Sequence, residues 1–224
     1  MKDLVYNISK FLMRGSLRLF ARWQVIGVEN VPPMGPLIVV ANHLSNLDPP
    51  LLMSSLPRRL QFLAKRPLFA LPPAALFLRA YGAHPVAVDE PDVAALLWVR
   101  RVLRRDGAIA LFPEAHRNPG KGMQKGAPGI ALLALRTQAP ILPIGITGTG
   151  HIGAIWRVVI PTGDITVRVG QPFSLPIIEG KLERAQLQEL TDTIMRRVAM
   201  LLPSEYQGVY QLPGHNTAPS RARV

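Results

Sequence analysis

The chain has 224 residues and a mass of 24.6 kDa, enough for one sizeable domain whose core needs no covalent staple. It contains no cysteine, which excludes disulfides, thiolate catalysis, zinc ribbons and iron–sulfur clusters. Apolar residues make up 48 %, charged residues only 18 %, and the net charge is +12. That balance excludes disorder and calls for a partner bearing negative charge, whether nucleic acid, anionic lipid or a phosphorylated substrate.

The first predicted element is a helix over 3–23. Leu4, Ile8, Phe11, Leu12 and Leu19 recur at helical spacing on one face, while Lys10, Arg14, Arg18 and Arg22 form a stripe at every fourth residue. Such a helix can lie in the surface of an anionic membrane, or pack on a core with its basic side in water. Strands are expected at Leu37–Ala41, Leu60–Ala64, Pro85–Val88, Ala108–Phe112, Ile141–Ile146, Trp156–Ile160 and Ile165–Val169, several of them continuous apolar runs of the kind buried on both faces. Helices are expected over 49–56, 91–105, 127–137 and 181–202, with Pro91 opening one and Asp106-Gly107 closing it. The alternation predicts an α/β layered domain, a mixed and largely parallel sheet flanked by helices and preceded by the amphipathic N-terminal helix.

No stretch reads as a membrane-spanning helix. Residues 67–78 are apolar, but they are broken by prolines and fall short of the ~20 residues required. Residues 137–156 are interrupted by Pro140, Pro143 and several glycines. Asp3 and the lack of a small-residue cleavage site argue against a secretory signal. The expected location is the cytoplasm, peripheral on the inner face of the cell membrane.

Two segments carry chemistry. In Asn42-His43-Leu44-Ser45-Asn46-Leu47-Asp48-Pro49 a strand ends, a histidine follows, and an aspartate comes at a helix start. Asp48 before a proline is also a natural helix cap. A loop this short lets its carboxylate turn back to the imidazole Nδ1, leaving Nε2 to take a proton. No G-x-S-x-G elbow accompanies Ser45, so the pair suits a base acting on a substrate hydroxyl rather than a serine hydrolase. In Phe112-Pro113-Glu114-Ala115-His116-Arg117-Asn118-Pro119-Gly120-Lys121 a buried strand ends in charged residues. Arg117 and Lys121 can bind a phosphate, and Glu114 can accept bonds from a substrate hydroxyl or from the arginine. The bland alternative is a solvated loop with a surface ion pair. Arg100, Arg101, Arg104 and Arg105 cluster at a helix C-terminus, where the dipole favours cations; the phosphates of coenzyme A or an acidic carrier protein are the other reading.

Together these segments resemble the 1-acylglycerol-3-phosphate acyltransferase family. Its N-H-x-x-x-x-D motif is matched by Asn42, His43 and Asp48, and its F-P-E-G-[TS]-R motif by Phe112, Pro113, Glu114 and Arg117. An apolar strand around Pro143, the Lys125-Gly126-Ala127 helix start and the closing Leu202-Pro203-Ser-Glu-Tyr206-Gln-Gly208-Val-Tyr210 also fit. Ala115 stands where the motif has glycine, and the segment Gly82–Glu90 lacks the family's phosphate-binding arginine. Lys65, Arg117 or Lys121 is then the candidate to hold an acceptor phosphate.

The resemblance implies an O-acyltransferase with His43 as base, Asp48 orienting it, and no metal or bound cofactor. The donor would be acyl-CoA or acyl carrier protein, and the acceptor a lysophospholipid, 1-acylglycerol-3-phosphate first and another lysolipid or hydroxylated lipid second. It divides the chain into a membrane-associating helix (1–25), an acyltransferase domain (26–210) and a disordered tail (211–224), with an anionic membrane surface as partner. Nucleic acid is not expected, since neither stacking aromatics nor a helix-turn-helix accompanies the charge. A non-catalytic lipid-binding relative is the remaining alternative, opposed by the intact His43/Asp48 pair.

Overall fold

A computed structural model describes residues 2–87, 92–178, 180 and 182–211. The helix α1 (Lys2–Phe20) leads directly into the strand β1 (Ala21–Ile26). There follow β2 (Leu37–Ala41), α2 (Asp48–Ser55), β3 (Leu60–Lys65), α3 (Pro72–Tyr81), β4 (Ala83–Val86), α4 (Val93–Leu103) and β5 (Ala108–Leu111). The chain continues through α5 (Gly129–Thr137), β6 (Ile141–Thr147), β7 (Gly163–Val169), α6 (Arg184–Ala199) and α7 (Ser204–Gln207). The seven strands form one sheet in the order β1-β7-β6-β2-β5-β3-β4. Only the β6–β7 pairing is antiparallel. The expected mixed, largely parallel sheet flanked by helices is therefore what the chain builds.

The central strands are apolar on both faces because both are covered. In β2, Leu37, Val39 and Ala41 face one core with Leu51, Leu52 and Met53 of α2 and Tyr6 and Leu17 of α1. Ile38 and Val40 face the other, packed with Val99 of α4, Ile130 of α5 and Ile194, Met195 and Val198 of α6. Parallel strands buried on both sides need such continuous hydrophobic runs.

Two expectations are corrected, and one helix that the sequence reading omits, α3, is present. The N-terminal helix stops at Phe20, and Ala21–Ile26 instead forms an edge strand in which Trp23 and Val25 alternate with exposed Arg22, Gln24 and Ile26; the period is two, not 3.6. Within the apolar stretch 67–78, the prolines at 72 and 73 occupy the first turn of α3, where a missing N–H costs nothing. Trp156–Ile160 is not a strand. Ile155–Val158 is a 3₁₀ turn, and the carbonyl of Val159 accepts the Ser16 hydroxyl of α1 instead of joining the sheet.

The predicted opening of α4 at Pro91 lies outside the described residues, as does the tail beyond Gln211. The helix is capped by Asp92, whose carboxylate accepts the Ala95 N–H at 2.9 Å. The arginine cluster at the far end of α4 leads into the N-terminal end of β5, at the sheet edge opposite the C-terminal ends of β2, β5 and β6. That position supports the helix-dipole reading of those arginines.

The basic stripe of α1 is also reassigned. Lys10 Nζ donates to the Leu56 carbonyl at 2.6 Å and Arg14 Nε to the Ser54 carbonyl at 2.7 Å, satisfying orphan acceptors at the end of α2. Burial, then the neighbouring Arg14, lower the pKa of Lys10. Arg22 pairs with Asp164, so among the described residues Arg18 is the member of the four that is exposed with no hydrogen bond or ion pair. The outer face of α1 is apolar instead: Leu4, Ile8, Phe11, Leu12 and Leu19 are exposed, opposite the buried Tyr6 and Leu17.

Candidate active site

The site is assembled where β2, β5 and β6 reach their C-terminal ends, the edge at which open α/β sheets place their ligands. Asn42, the first residue past β2, is 1 % exposed, and its side-chain amide grips the neighbouring strand. Nδ2 donates to the Ile146 carbonyl at 2.9 Å, and Oδ1 accepts the Ile146 N–H at 2.8 Å. This side chain continues the ladder to β6 for one more step and fixes the backbone that presents His43.

His43 is then held from three sides. Its backbone N–H donates to Glu114 Oε1 at 3.0 Å, and its carbonyl accepts the Asn118 N–H at 2.9 Å. The ring stacks on Phe112, with centroids 4.2 Å apart. Nδ1 lies 2.8 Å from Asp48 Oδ2. An ionised carboxylate there requires the proton on Nδ1, which leaves the Nε2 lone pair free to accept one. The side chain is 17 % exposed while Asp48 is 0 % exposed, so the imidazole is open to solvent and the carboxylate is not.

Asp48 does not cap α2. Its carboxylate turns back instead, Oδ2 accepting the Leu44 N–H at 2.6 Å and the Ser45 N–H at 2.8 Å, while Oδ1 accepts the Thr149 hydroxyl at 2.7 Å. A fully buried charge is tolerated only with this many donors. Ser45 Oγ accepts the Leu47 N–H at 3.1 Å and lies 3.5 Å from Asp48 Oδ1; it is buried within the turn rather than presented as a nucleophile.

Glu114 is bonded within the chain. Its oxygens are taken up by the chain itself: Oε1 by His43 N–H, and Oε2 by Asn118 Nδ2 and the Gln124 N–H, both at 2.8 Å. At 6 % exposure it is a brace tying the β5–α5 loop to His43. Burial raises its pKa, opposed by the bonds from Gln124, His43 and Asn118. Arg117 and Lys121 stand exposed on that same loop. Lys65 is exposed at the end of β3, opposite Val86 of β4 in register and two strands, ~10 Å, from β2. The structure thus brings His43, Asp48 and Glu114 into one bonded cluster and leaves the three cations exposed outside it. The second-motif residues Val88–Glu90 lie outside the described residues. His84 is a structural residue, stacked on Trp98 with centroids 4.4 Å apart.

Sequence reasoning missed Thr149, which lies 101 residues from the aspartate it touches, and no local pattern around it could have shown this. It also missed the bracing role of Asn118.

The comparisons with known proteins concern the family and the fold. The 1-acyl-sn-glycerol-3-phosphate acyltransferase of Borreliella burgdorferi is 30 % identical over 57 % of this chain and 52 % of its own. A chloroplastic 1-acyl-sn-glycerol-3-phosphate acyltransferase of Brassica napus is 27 % identical over 74 % of this chain and 49 % of its own. The chain therefore spans about half the length of these relatives. The crystal structure of the 1-acyl-sn-glycerophosphate acyltransferase PlsC from Thermotoga maritima superposes with a TM-score of 0.68 at 26 % identity, covering 88 % of this chain and 78 % of that one. The family model described as Acyltransferase matches residues 22–147, from β1 through the end of β6. This chain belongs to the acyltransferase family.

Proposed function

We propose that the protein moves a fatty acyl group from an acyl-CoA or acyl-carrier-protein thioester to the free hydroxyl of a lysophospholipid, 1-acylglycerol-3-phosphate, to give phosphatidic acid. The observation that carries this reading is the His43 ring itself, bonded at Nδ1 to a buried carboxylate and open at Nε2. Nε2 takes the proton of the acceptor hydroxyl as the oxygen attacks the thioester carbonyl. Asp48 holds the ring and stabilises the imidazolium. The tetrahedral intermediate collapses with loss of the thiolate, which then takes the proton back from Nε2. A thiolate is a good leaving group, so the step needs no second acid and no acyl-enzyme. Arg117, Lys121 and Lys65 bind the acceptor phosphate at the rim.

The same reading places the protein on the inner face of the cell membrane. Among the described residues no helix is long and apolar enough to cross a bilayer. α1 packs beside α3, and with its outer face Leu68, Leu71, Leu76 and Phe77 at and just before α3 are also exposed, the kind of apolar surface that marks a membrane or partner contact. α1 ends and the turn before α3 begins at the catalytic edge of the sheet. A bilayer on that face therefore delivers its lipid acceptor beside His43, with 1–25 as the membrane-associating part, 26–210 as the catalytic domain and 211–224 as a tail.

Acyl transfer from each donor to a panel of lysolipids tests this. Lysophosphatidate should be the preferred acceptor. Arg117→Ala should lower its kcat/KM about ten- to a hundredfold, the range for one charge-assisted contact, and leave lysophosphatidylcholine unaffected. Preference for an acceptor without a phosphomonoester, insensitive to Arg117→Ala, would overturn the lysophosphatidate assignment.

A further inference from the structure

The segment Ser204–Tyr210 follows α6 and makes contacts that packing alone does not require. Gln207, 2 % exposed, ties it to the end of α6 by donating to the carbonyls of Ala199 at 3.2 Å and Leu202 at 3.0 Å. From this anchorage the segment reaches the catalytic cluster by two routes.

The first route ends on His43. Met123 N–H donates to the Tyr206 carbonyl at 2.9 Å, and the Val209 N–H donates back to the Met123 carbonyl at 3.0 Å. This pairing brings Gly122 and Gly208 so close that a Cβ on Gly122 would lie 2.7 Å from Gly208 backbone, and one on Gly208 2.1 Å from the Met123 oxygen. Both glycines have positive φ, so the contact is built for residues without side chains. Three residues on, the Gly126 N–H donates to the Tyr210 hydroxyl at 3.0 Å, and that hydroxyl donates to Asp192 of α6 at 2.9 Å. Between these fixed points lies Gln124, whose N–H holds Glu114, which in turn holds His43.

The second route ends on Asp48. The Gly148 N–H donates to the Tyr206 hydroxyl at 3.3 Å. The next residue, Thr149, donates its hydroxyl to Asp48. One short segment therefore braces both members of the pair, the histidine through its backbone and the aspartate through its second oxygen.

We propose that Ser204–Tyr210 is a positioning clamp for the His43–Asp48 pair, with the Tyr206 and Tyr210 hydroxyls as its fixed points; this rests on the reading of His43 as the base. Neither tyrosine touches substrate in this account. Each keeps the imidazole and its carboxylate in register, where small misplacements cost turnover rather than affinity.

The test compares full-length Tyr206→Phe, Tyr210→Phe and the double variant with wild type and with His43→Ala. The measurements are steady-state acyl transfer, thermal midpoint, and the downfield proton NMR signal of His43 Nδ1–H, identified by its loss in His43→Ala. Each single variant should lower kcat about three- to tenfold, the range for a lost hydrogen bond, with Tyr210→Phe at the upper end because its hydroxyl both accepts from Gly126 and donates to the Asp192 carboxylate, and KM should change less than about twofold. The double variant should lose about ten- to a hundredfold, because the routes act separately, and its Nδ1–H signal should shift or broaden. A double variant with wild-type kcat and an unmoved Nδ1–H signal, whatever its thermal midpoint, overturns the clamp. If the double variant does not fold, Tyr206→Phe alone carries the test by the same two readouts. His43→Ala retaining wild-type turnover would defeat the base reading instead, and the Nδ1–H signal in the tyrosine variants would still decide the clamp.

Discussion

Ala115 sits at φ +60° between Glu114 and the residues that lead to Asn118, a backbone conformation that costs an alanine ~1 kcal/mol or more. The turn keeps it because its neighbours are over-determined. The Ala115 N–H donates to the Phe112 carbonyl at 3.1 Å, and Glu114 and Asn118 on either side both bond to His43. The acyltransferase motif has glycine here, and the structure gives that preference its physical reason. The Ala115 side chain is exposed, so Ala115→Gly removes no packing and should raise stability by about 1 kcal/mol in urea denaturation; an unchanged or lower midpoint would contradict this. At this scale the sequence was informative wherever partners are near in the chain, as with His43 and Asp48. It was silent on Thr149 and on the donors that face Glu114, because only the fold brings the His43, Asn118 and Gln124 donors to that carboxylate.

The elements show the same division between local pattern and tertiary partner. The helical spacing of α1 was legible, but its two sides were not, since a lysine that caps another helix and one that faces solvent look alike in sequence. The alternation Arg22-Trp23-Gln24-Val25 that marks β1 was present too, but lay hidden at the end of a longer helical pattern. These assignments separate two sets of variants. Lys10→Gln and Arg14→Gln should each cost about 1 kcal/mol of stability through the carbonyls they release on α2, while vesicle binding persists. Phe11→Ser with Leu19→Ser, at side chains 76 % and 75 % exposed, should leave the unfolding midpoint nearly unchanged and abolish sedimentation with phosphatidylglycerol vesicles, because each apolar side chain buried in the interface contributes about 1.5–3 kcal/mol. Unchanged sedimentation of that variant would show that the outer face of α1 is not the membrane contact.

Across the whole molecule, the α/β alternation was enough to predict a mixed, largely parallel sheet, and the C-terminal ends of its central strands gather the bonded His43, Asp48 and Glu114. What the alternation does not carry is the closure of the chain, in which α6 and Ser204–Tyr210 return against the loops after β5 and β6. Burial, with Asp192 alongside, pushes the Tyr210 hydroxyl up to about 12 from 10.0. A raised folded-state value means that the stability from this group is intact below pH ~10 and is lost as pH rises toward ~12. Tyr6 and Tyr81 shift in the same direction, so the observable is a difference: Tyr210→Phe should lose less stability than wild type between those two pH values, and parallel losses would contradict the assignment. The central claim is that the imidazole backed by the buried Asp48 performs the proton transfer. The most direct test is acyl transfer at saturating lysophosphatidate by wild type, His43→Ala and Asp48→Asn, each checked for an unchanged fold by circular dichroism. His43→Ala should lose about 10²–10⁴ in kcat, and Asp48→Asn should lose less, because an amide still positions the ring without stabilising its cation. A folded His43→Ala protein turning over at the wild-type rate would contradict the account.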